Sequence, residues 1–200
     1  MRNDIANTGP RHVLSPRKPA VPAPGQVVGF AKAGQSGGEL PEAMHPEHDR
    51  GRMVQAWHIR KATPKDADAL GTCMKSAYIQ YQDRMEGADL PPLNVDYASE
   101  IRDYPTWVVE AEGTIRGGLI MSFESDRASI ANIAVDPKWQ GQGIGGALLE
   151  LAESVARERD LAELHLATHL LLHENIAMYR HLNWVETGRD ETRVCMKKRI

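Results

Sequence analysis

From Trp57 onward the apolar positions alternate between a period of two and a period near 3.6, and the switches mark a run of strands and helices. His58–Lys61 reads as a short strand. Thr63-Pro64 opens a helix, with the threonine as N-cap and the proline at the first position. Leu70, Met74, Ala77, Tyr78 and Tyr81 then keep helical spacing along one face. Asp96 to Arg102 predicts a second, short helix. Thr106–Glu112 and Gly117–Phe123 alternate as strands around a Glu112-Gly113 hairpin turn, and Ala128–Val135 follows the Ser125-Asp126 turn as another. Ile144, Leu148, Leu151 and Val155 give a helix with one apolar stripe. Leu161–Thr168 is a strand, Glu174–His181 a helix, and Trp184–Thr187 and Arg193–Lys197 the closing strands. Hairpins first and β-α-β later predict an α/β (α+β) fold: a mixed, mostly antiparallel central sheet flanked by helices.

Residues 1–52 break this pattern. They hold seven of the 12 prolines and a single aromatic, Phe30, and keep neither period for long. Such a stretch buries too little apolar surface to offset its ordering entropy, so it reads as a disordered Pro/Gly-rich extension before an independent domain at 53–200. Met53 is an alternative natural start. His45-Pro-Glu-His48 has two imidazoles, but proline prevents a shared helical face and no third ligand is near, so no metal is expected.

Composition narrows the classes. The 200 residues carry 24 Lys+Arg against 27 Asp+Glu, a formal net charge of -3, which gives no electrostatic case for nucleic acid or an anionic membrane. Two distant cysteines, Cys73 and Cys195, exclude a disulfide scaffold and any site of paired CxxC motifs. No apolar run reaches membrane-span length and no secretory h-region precedes the domain, so a cytoplasmic protein is expected.

The candidate chemistry lies between the Ala128–Val135 strand and the next helix, in Val135-Asp-Pro-Lys-Trp-Gln140-Gly141-Gln142-Gly143-Ile144-Gly145-Gly146. Glycines at a helix start let backbone amides meet an anion, which the unpaired N–H groups and the dipole favour. The turn is not a Walker A loop, since Gly145-Gly146-Ala147 lacks the lysine and the hydroxyl. Gly141-x-Gly143-x-x-Gly146 matches a dinucleotide fingerprint. Five residues separate it from the strand, however, and only 54 residues follow Gly146, too few for the rest of such a domain.

Gln140-x-x-Gly143-x-Gly145 resembles the Q/R-x-x-G-x-G/A pyrophosphate loop of GCN5-related N-acetyltransferases. Ile130-Ala-Asn-Ile-Ala-Val-Asp-Pro137 is similar to that family's preceding strand. Glu174-Asn175-Ile-Ala-Met-Tyr179-Arg-His-Leu-Asn-Trp184 is similar to its later E-N-x-A-x-Y-x-x-L-G-[FWY] segment, and Val185 to Arg189 to the strand after it. The resemblance covers about residues 57–200. It implies a sheet splayed between its fourth and fifth strands, with acetyl-CoA as co-substrate in the opening. Ile133, Ala134 and Val135 would offer backbone groups to the pantetheine arm. Gln140, Gly141, Gln142, Gly143, Ile144 and Gly145 would hold the pyrophosphate. Asn175 would hydrogen-bond the arm, and Tyr179 would protonate the leaving thiolate. A core-packing role for Tyr179 and a solvent-facing Asn175 are the alternatives.

Two positions depart from the family. Ala131 stands where relatives often carry a glutamate that serves as general base, so the amine loses its proton to water, or another group such as His165, His169 or His173 takes it (a structural role being the preferred reading of each histidine), or the chain is an inactive acyl-CoA-binding sensor or interaction domain. Asn183 replaces the usual glycine before the aromatic, a change a left-handed helix cap tolerates. The acceptor is expected to be an amine-bearing small molecule or a protein; Glu86, Asp89 and Asp96 beside the stiff Pro91-Pro92 loop could draw a cationic amine, but a solvated acidic surface is the preferred reading of these carboxylates. The resemblance also admits a homodimer.

Overall fold

The computed structural model describes residues 56–85 and 91–200. The extension at 1–52, His45, His48, Glu86 and Asp89 lie outside the described residues. In chain order the elements are β1 (His58–Lys61), α1 (Ala67–Ile79), α2 (Tyr97–Asp103), β2 (Thr106–Ala111), β3 (Thr114–Phe123), β4 (Ala128–Val135), α3 (Ile144–Arg157), β5 (Glu163–His169), α4 (His173–His181), β6 (Val185–Arg189) and β7 (Arg193–Arg199). The strands form one sheet in the order β1-β2-β3-β4-β5-β7-β6. Every neighbouring pair is antiparallel except β4–β5, which is parallel. The mixed, mostly antiparallel sheet expected from the pattern is therefore the fold.

Several boundaries move for local reasons. The Asp66 carboxylate takes both the Thr63 N–H at 2.7 Å and its Oγ1–H at 2.9 Å, tightening Pro64–Asp66 into a 3-10 turn, so α1 begins at Ala67. Arg60 clamps the same carboxylate and reaches Glu110 on β2 at 2.7 Å, which fixes the entry of α1 against the sheet. After α3, Asp160 is left-handed and the Leu161 N–H bonds back to Ala156 C=O, so β5 starts two residues later than its apolar run. Asn183 at φ 65 caps α4 in the same way, with Trp184 N–H on Tyr179 C=O. Trp184 is therefore a buried cap residue and β6 begins at Val185. Leu151 is only half-buried, and Leu149 and Ala152 help Leu148 fill the inner face of α3.

Two cores cover the two faces. One packs α3 and α4 on Trp107, Val109, Leu119, Ile133, Val135, Leu164 and Leu166. The other packs α1 and α2 on Val108, Ile120, Ala131 and Ala134. Gly118 lets α1 approach the sheet: a Cβ there would stand 2.5 Å from Leu70 Cδ1 and 2.9 Å from Met74 Cε.

Candidate active site

The parallel pair is the weak point of the sheet. β4 meets β5 only at Ala128–Leu164 and Ser129–His165; beyond these β4 stays on β3, β5 stays on β7, and the two strands part. The splay predicted between the fourth and fifth strands is thus present. It begins beside a bulge: Ile120 faces Asn132 and Met121 faces Ile130, which leaves Ala131 as the extra residue.

Which backbone groups face the opening follows from two hydrogen bonds. Val135 C=O accepts Gln140 Nε2 at 3.2 Å, while the next amide, Asp136 N–H, bonds to Arg116 C=O on β3. Strand alternation then turns the backbone groups of Ile133 and Val135 toward the opening and those of Ala134 toward β3. Beyond the strand, Asp136 caps the Pro137–Trp139 turn through Lys138 N–H, and Arg116 lies over the Trp139 ring at 5.0 Å.

Gly141 (φ 76) and Gly143 (φ 83) are left-handed and, with Gln142, exposed. Gly143 is the N-cap of α3 and supplies no side-chain cap, so the first N–H groups of that helix are open to an anion. Nothing lies within 4 Å of a Cβ built on Gly141 or Gly143, so the turn leaves room at its outer surface. Ile144 is buried beneath it, and Gly145 is half-buried in the first helical turn.

α4 supplies the other wall. Asn175 is buried in its first turn, so it does not face solvent. One turn on, Tyr179 is fully buried, its ring edge-on to Trp184 with centroids 5.7 Å apart. Burial pushes its phenol well above the ordinary tyrosine range, and the neighbouring Tyr78 and Tyr81 add to the rise. Tyr179 packs in the α3–α4 core while Tyr78 and Tyr81 belong to the α1–α2 core, so the tyrosines of the two faces approach where the sheet has parted. Tyr78 donates its hydroxyl to Asn132 Oδ1 at 2.9 Å, joining α1 to β4 beside the bulge. Sequence reasoning missed that pair; the signal was a polar Asn132 inside the apolar run Ile130–Val135.

The histidines separate clearly. His169 is buried, desolvation lowers its imidazole below the ordinary range against the opposing charge of Asp190, and its Nδ1 accepts the Leu171 N–H, so that nitrogen's lone pair is already used. His165 shares its Nε2 with Glu163 at 3.1 Å, and His173 is exposed at the start of α4. Ala131 is buried and carries no proton acceptor. Asp96, one of the carboxylates that could draw an acceptor, caps α2 at the surface: it accepts Ala98 N–H and, at 2.7 Å, the Ser99 hydroxyl.

A profile of the acetyltransferase (GNAT) family matches residues 74–184. The chain belongs to that family. The GNAT assignment makes it an N-acetyltransferase by class and acetyl-CoA the family's acyl donor. The chain is 28% identical over 134 residues to an uncharacterized N-acetyltransferase, YjgM, of Escherichia coli K12, a match covering 63% of this chain and 80% of the relative. It is 34% identical over 83 residues to the [ribosomal protein bS18]-alanine N-acetyltransferase of the same organism, covering 42% of this chain and 56% of that enzyme. The corresponding putative enzyme of Bacillus subtilis is 30% identical over 73 residues, 36% of this chain and 48% of that one, so the chain spans about half the length of these ribosomal-protein enzymes. Among solved structures, the PaiA N-acetyltransferase of Thermoplasma acidophilum in complex with coenzyme A superposes with a TM-score of 0.66 at 17% identity, over 72% of this chain and 99% of that one. The S18-alanine enzyme of Escherichia coli gives 0.57 at 22%, over 72% and 94%. At these identities the structures share the fold. Among the described residues, no helix is long and apolar enough to cross a membrane.

Proposed function

We propose that this GNAT protein transfers the acetyl group of acetyl-CoA to a primary amine by direct attack, with no covalent enzyme intermediate. The observation that carries the reading is Tyr179: a proton-retaining phenol where the sheet parts, one helical turn beyond the buried Asn175. In this reading the backbone groups of Ile133 and Val135, with Ala134 holding the strand to β3, line the pantetheine arm. The turn from Gln140 through Gly145 holds the pyrophosphate, and Asn175 hydrogen-bonds the arm. The neutral amine attacks the thioester carbonyl carbon, the C–N bond forms, and the C–S bond breaks from the tetrahedral oxyanion, which backbone N–H groups stabilise. Tyr179 gives its proton to the departing sulfur, and the amine loses one proton to solvent, since Ala131 cannot take it.

Residues 53–200 are the catalytic domain in this reading and 1–52 an extension to it. The acceptor is a small molecule or a protein, a class that includes the ribosomal-protein alanine for which one relative is named. The cytoplasm and a homodimeric state are part of the same proposal. The test has two arms, acetyl-CoA affinity by calorimetry and CoA thiol release across a panel of amines. Micromolar binding with amine-dependent release supports transfer. Binding with no release from any amine would mark an acyl-CoA sensor, the reading that Ala131 permits.

A further inference from the structure

Tyr81 closes the buried stripe of α1, and its hydroxyl is buried with no hydrogen-bond partner among the described residues. An unpartnered core hydroxyl costs about 1–3 kcal/mol, so a group that comes to complete it gains that much in binding. Beside the Tyr81 ring the 3-10 turn Gln82–Met85 meets the first turn of α4. Arg84 Nη1 pairs with Glu174 Oε1 at 2.6 Å, and the guanidinium lies 5.8 Å from the Tyr81 ring centroid. The Arg84 side chain is 54% exposed, so water competes for it, and a pair of this kind is worth about 0–1 kcal/mol. An incoming cation can take the place of Arg84 at Glu174 at little cost.

The chemistry assigns different parts of an acceptor to the two residues. The attacking nitrogen has to be neutral, and a carboxylate beside it would favour its protonated form. A neutral phenol does not. Burial first, and the Glu174 charge second, push the Tyr81 hydroxyl up to about 12, so it stays protonated at neutral pH. A carboxylate is useful to the acceptor only for a charge that is kept throughout the reaction.

Resting on the acetyltransferase reading above, we propose that Tyr81 and Glu174 form the acceptor subsite, and that the acceptor is an amine with a second, permanent positive charge. Arg84 holds the place of that charge in the free enzyme. Tyr81 bonds the reactive nitrogen, and Glu174 the distal cation.

Steady-state thiol release with 1,4-diaminobutane and n-butylamine tests this, because only the diamine keeps a charge once its attacking nitrogen is neutral. Glu174→Gln should raise KM for the diamine about 10-fold, the scale of a lost charge-assisted hydrogen bond, and leave that for the monoamine unchanged. Arg84→Ala should lower the diamine KM about 3-fold, the scale of releasing one exposed ion pair, and do nothing in the Glu174→Gln background. Tyr81→Phe should raise KM for both amines. Equal effects on both amines, or an Arg84→Ala effect that persists without the carboxylate, would overturn the proposal by reducing the pair to a general surface field. So would absence of turnover with the diamine in a protein that binds acetyl-CoA and acetylates another amine. Failure to bind acetyl-CoA at all would strike the acetyltransferase reading instead.

Discussion

Replacing Tyr179 by phenylalanine removes one oxygen from a ring that is otherwise kept. The ring is fully buried and edge-on to Trp184, and the substitution leaves that contact intact. Loss of one buried hydroxyl changes stability by about 1 kcal/mol, which in a domain of this size moves the melting temperature by about 2–4 °C. The rate should respond on another scale. A general acid contributes about 10²–10⁴-fold, so kcat should fall by that factor, about 3–5 kcal/mol of barrier, while acetyl-CoA affinity stays within a few-fold. The pH profile adds a second reading. Burial holds the Tyr179 phenol protonated well above pH 10, so in the free wild-type enzyme the donor is present across the physiological range. Its deprotonation should cause no alkaline loss of kcat/KM below about pH 10. Thiol release with any accepted amine, followed from pH 6 to 10 in both proteins beside a thermal melt, makes the comparison. Wild-type kcat in the phenylalanine variant would refute the argument and leave Tyr179 as packing for Trp184.

Gly143→Glu should abolish acetyl-CoA binding in calorimetry while far-UV circular dichroism stays native, because the side chain has space but brings a negative charge and a strained φ of 83 to the anion-facing turn. Asp66→Asn should destabilise the domain by about 1–3 kcal/mol in urea at pH 7, as expected when the charged acceptor of a part-buried, hydrogen-bonded ion pair is lost. Arg60 holds the Asp66 carboxyl below its ordinary range, so this contribution is complete above about pH 4 and fades as acid protonates it in the folded state; wild type and variant should converge there. Gly118→Ala should lower the urea midpoint by the equivalent of about 1–3 kcal/mol, through Leu70 and Met74 being pushed from the sheet. A chain beginning at Met53 should keep the melting temperature and acetyl-CoA affinity of the whole.

The elements governed by neighbouring residues were legible in the sequence. Glu112-Gly113, Ala128–Val135 and the glycine turn depend on local alternation and on φ, and each lies where it was expected. The shifted boundaries come from bonds that a period does not encode, such as Asp66 reaching back to Thr63 or Leu161 folding onto Ala156. Asp96 illustrates the same limit at the site. Its charge suggested an acceptor contact, but a carboxylate two residues before Ala98 and three before Ser99 is consumed by the helix it starts. Tyr81 read as one more core residue, and Arg84 and Glu174 are 90 positions apart, so their meeting beside it is a property of topology alone. The parting of β4 from β5 entered through resemblance, since nothing in either strand's own pattern says where a ladder ends.

With two rungs between β4 and β5, the sheet is mechanically two plates, one of four strands and one of three, held by a short seam and by the helices that overlap it. A molecule lying along the open part of that seam acts as mortar. It should stiffen the joint between the plates as well as fill a space. Saturating acetyl-CoA at about 100 times its Kd would stabilise the folded state by about 2.7 kcal/mol. Amide exchange at Ile133 and Val135 should slow in step with that at Leu166–Thr168, because one occupant bridges both edges. A mutation that weakens the seam at Ser129 or His165 would then be felt mostly in the empty protein and be masked in the loaded one.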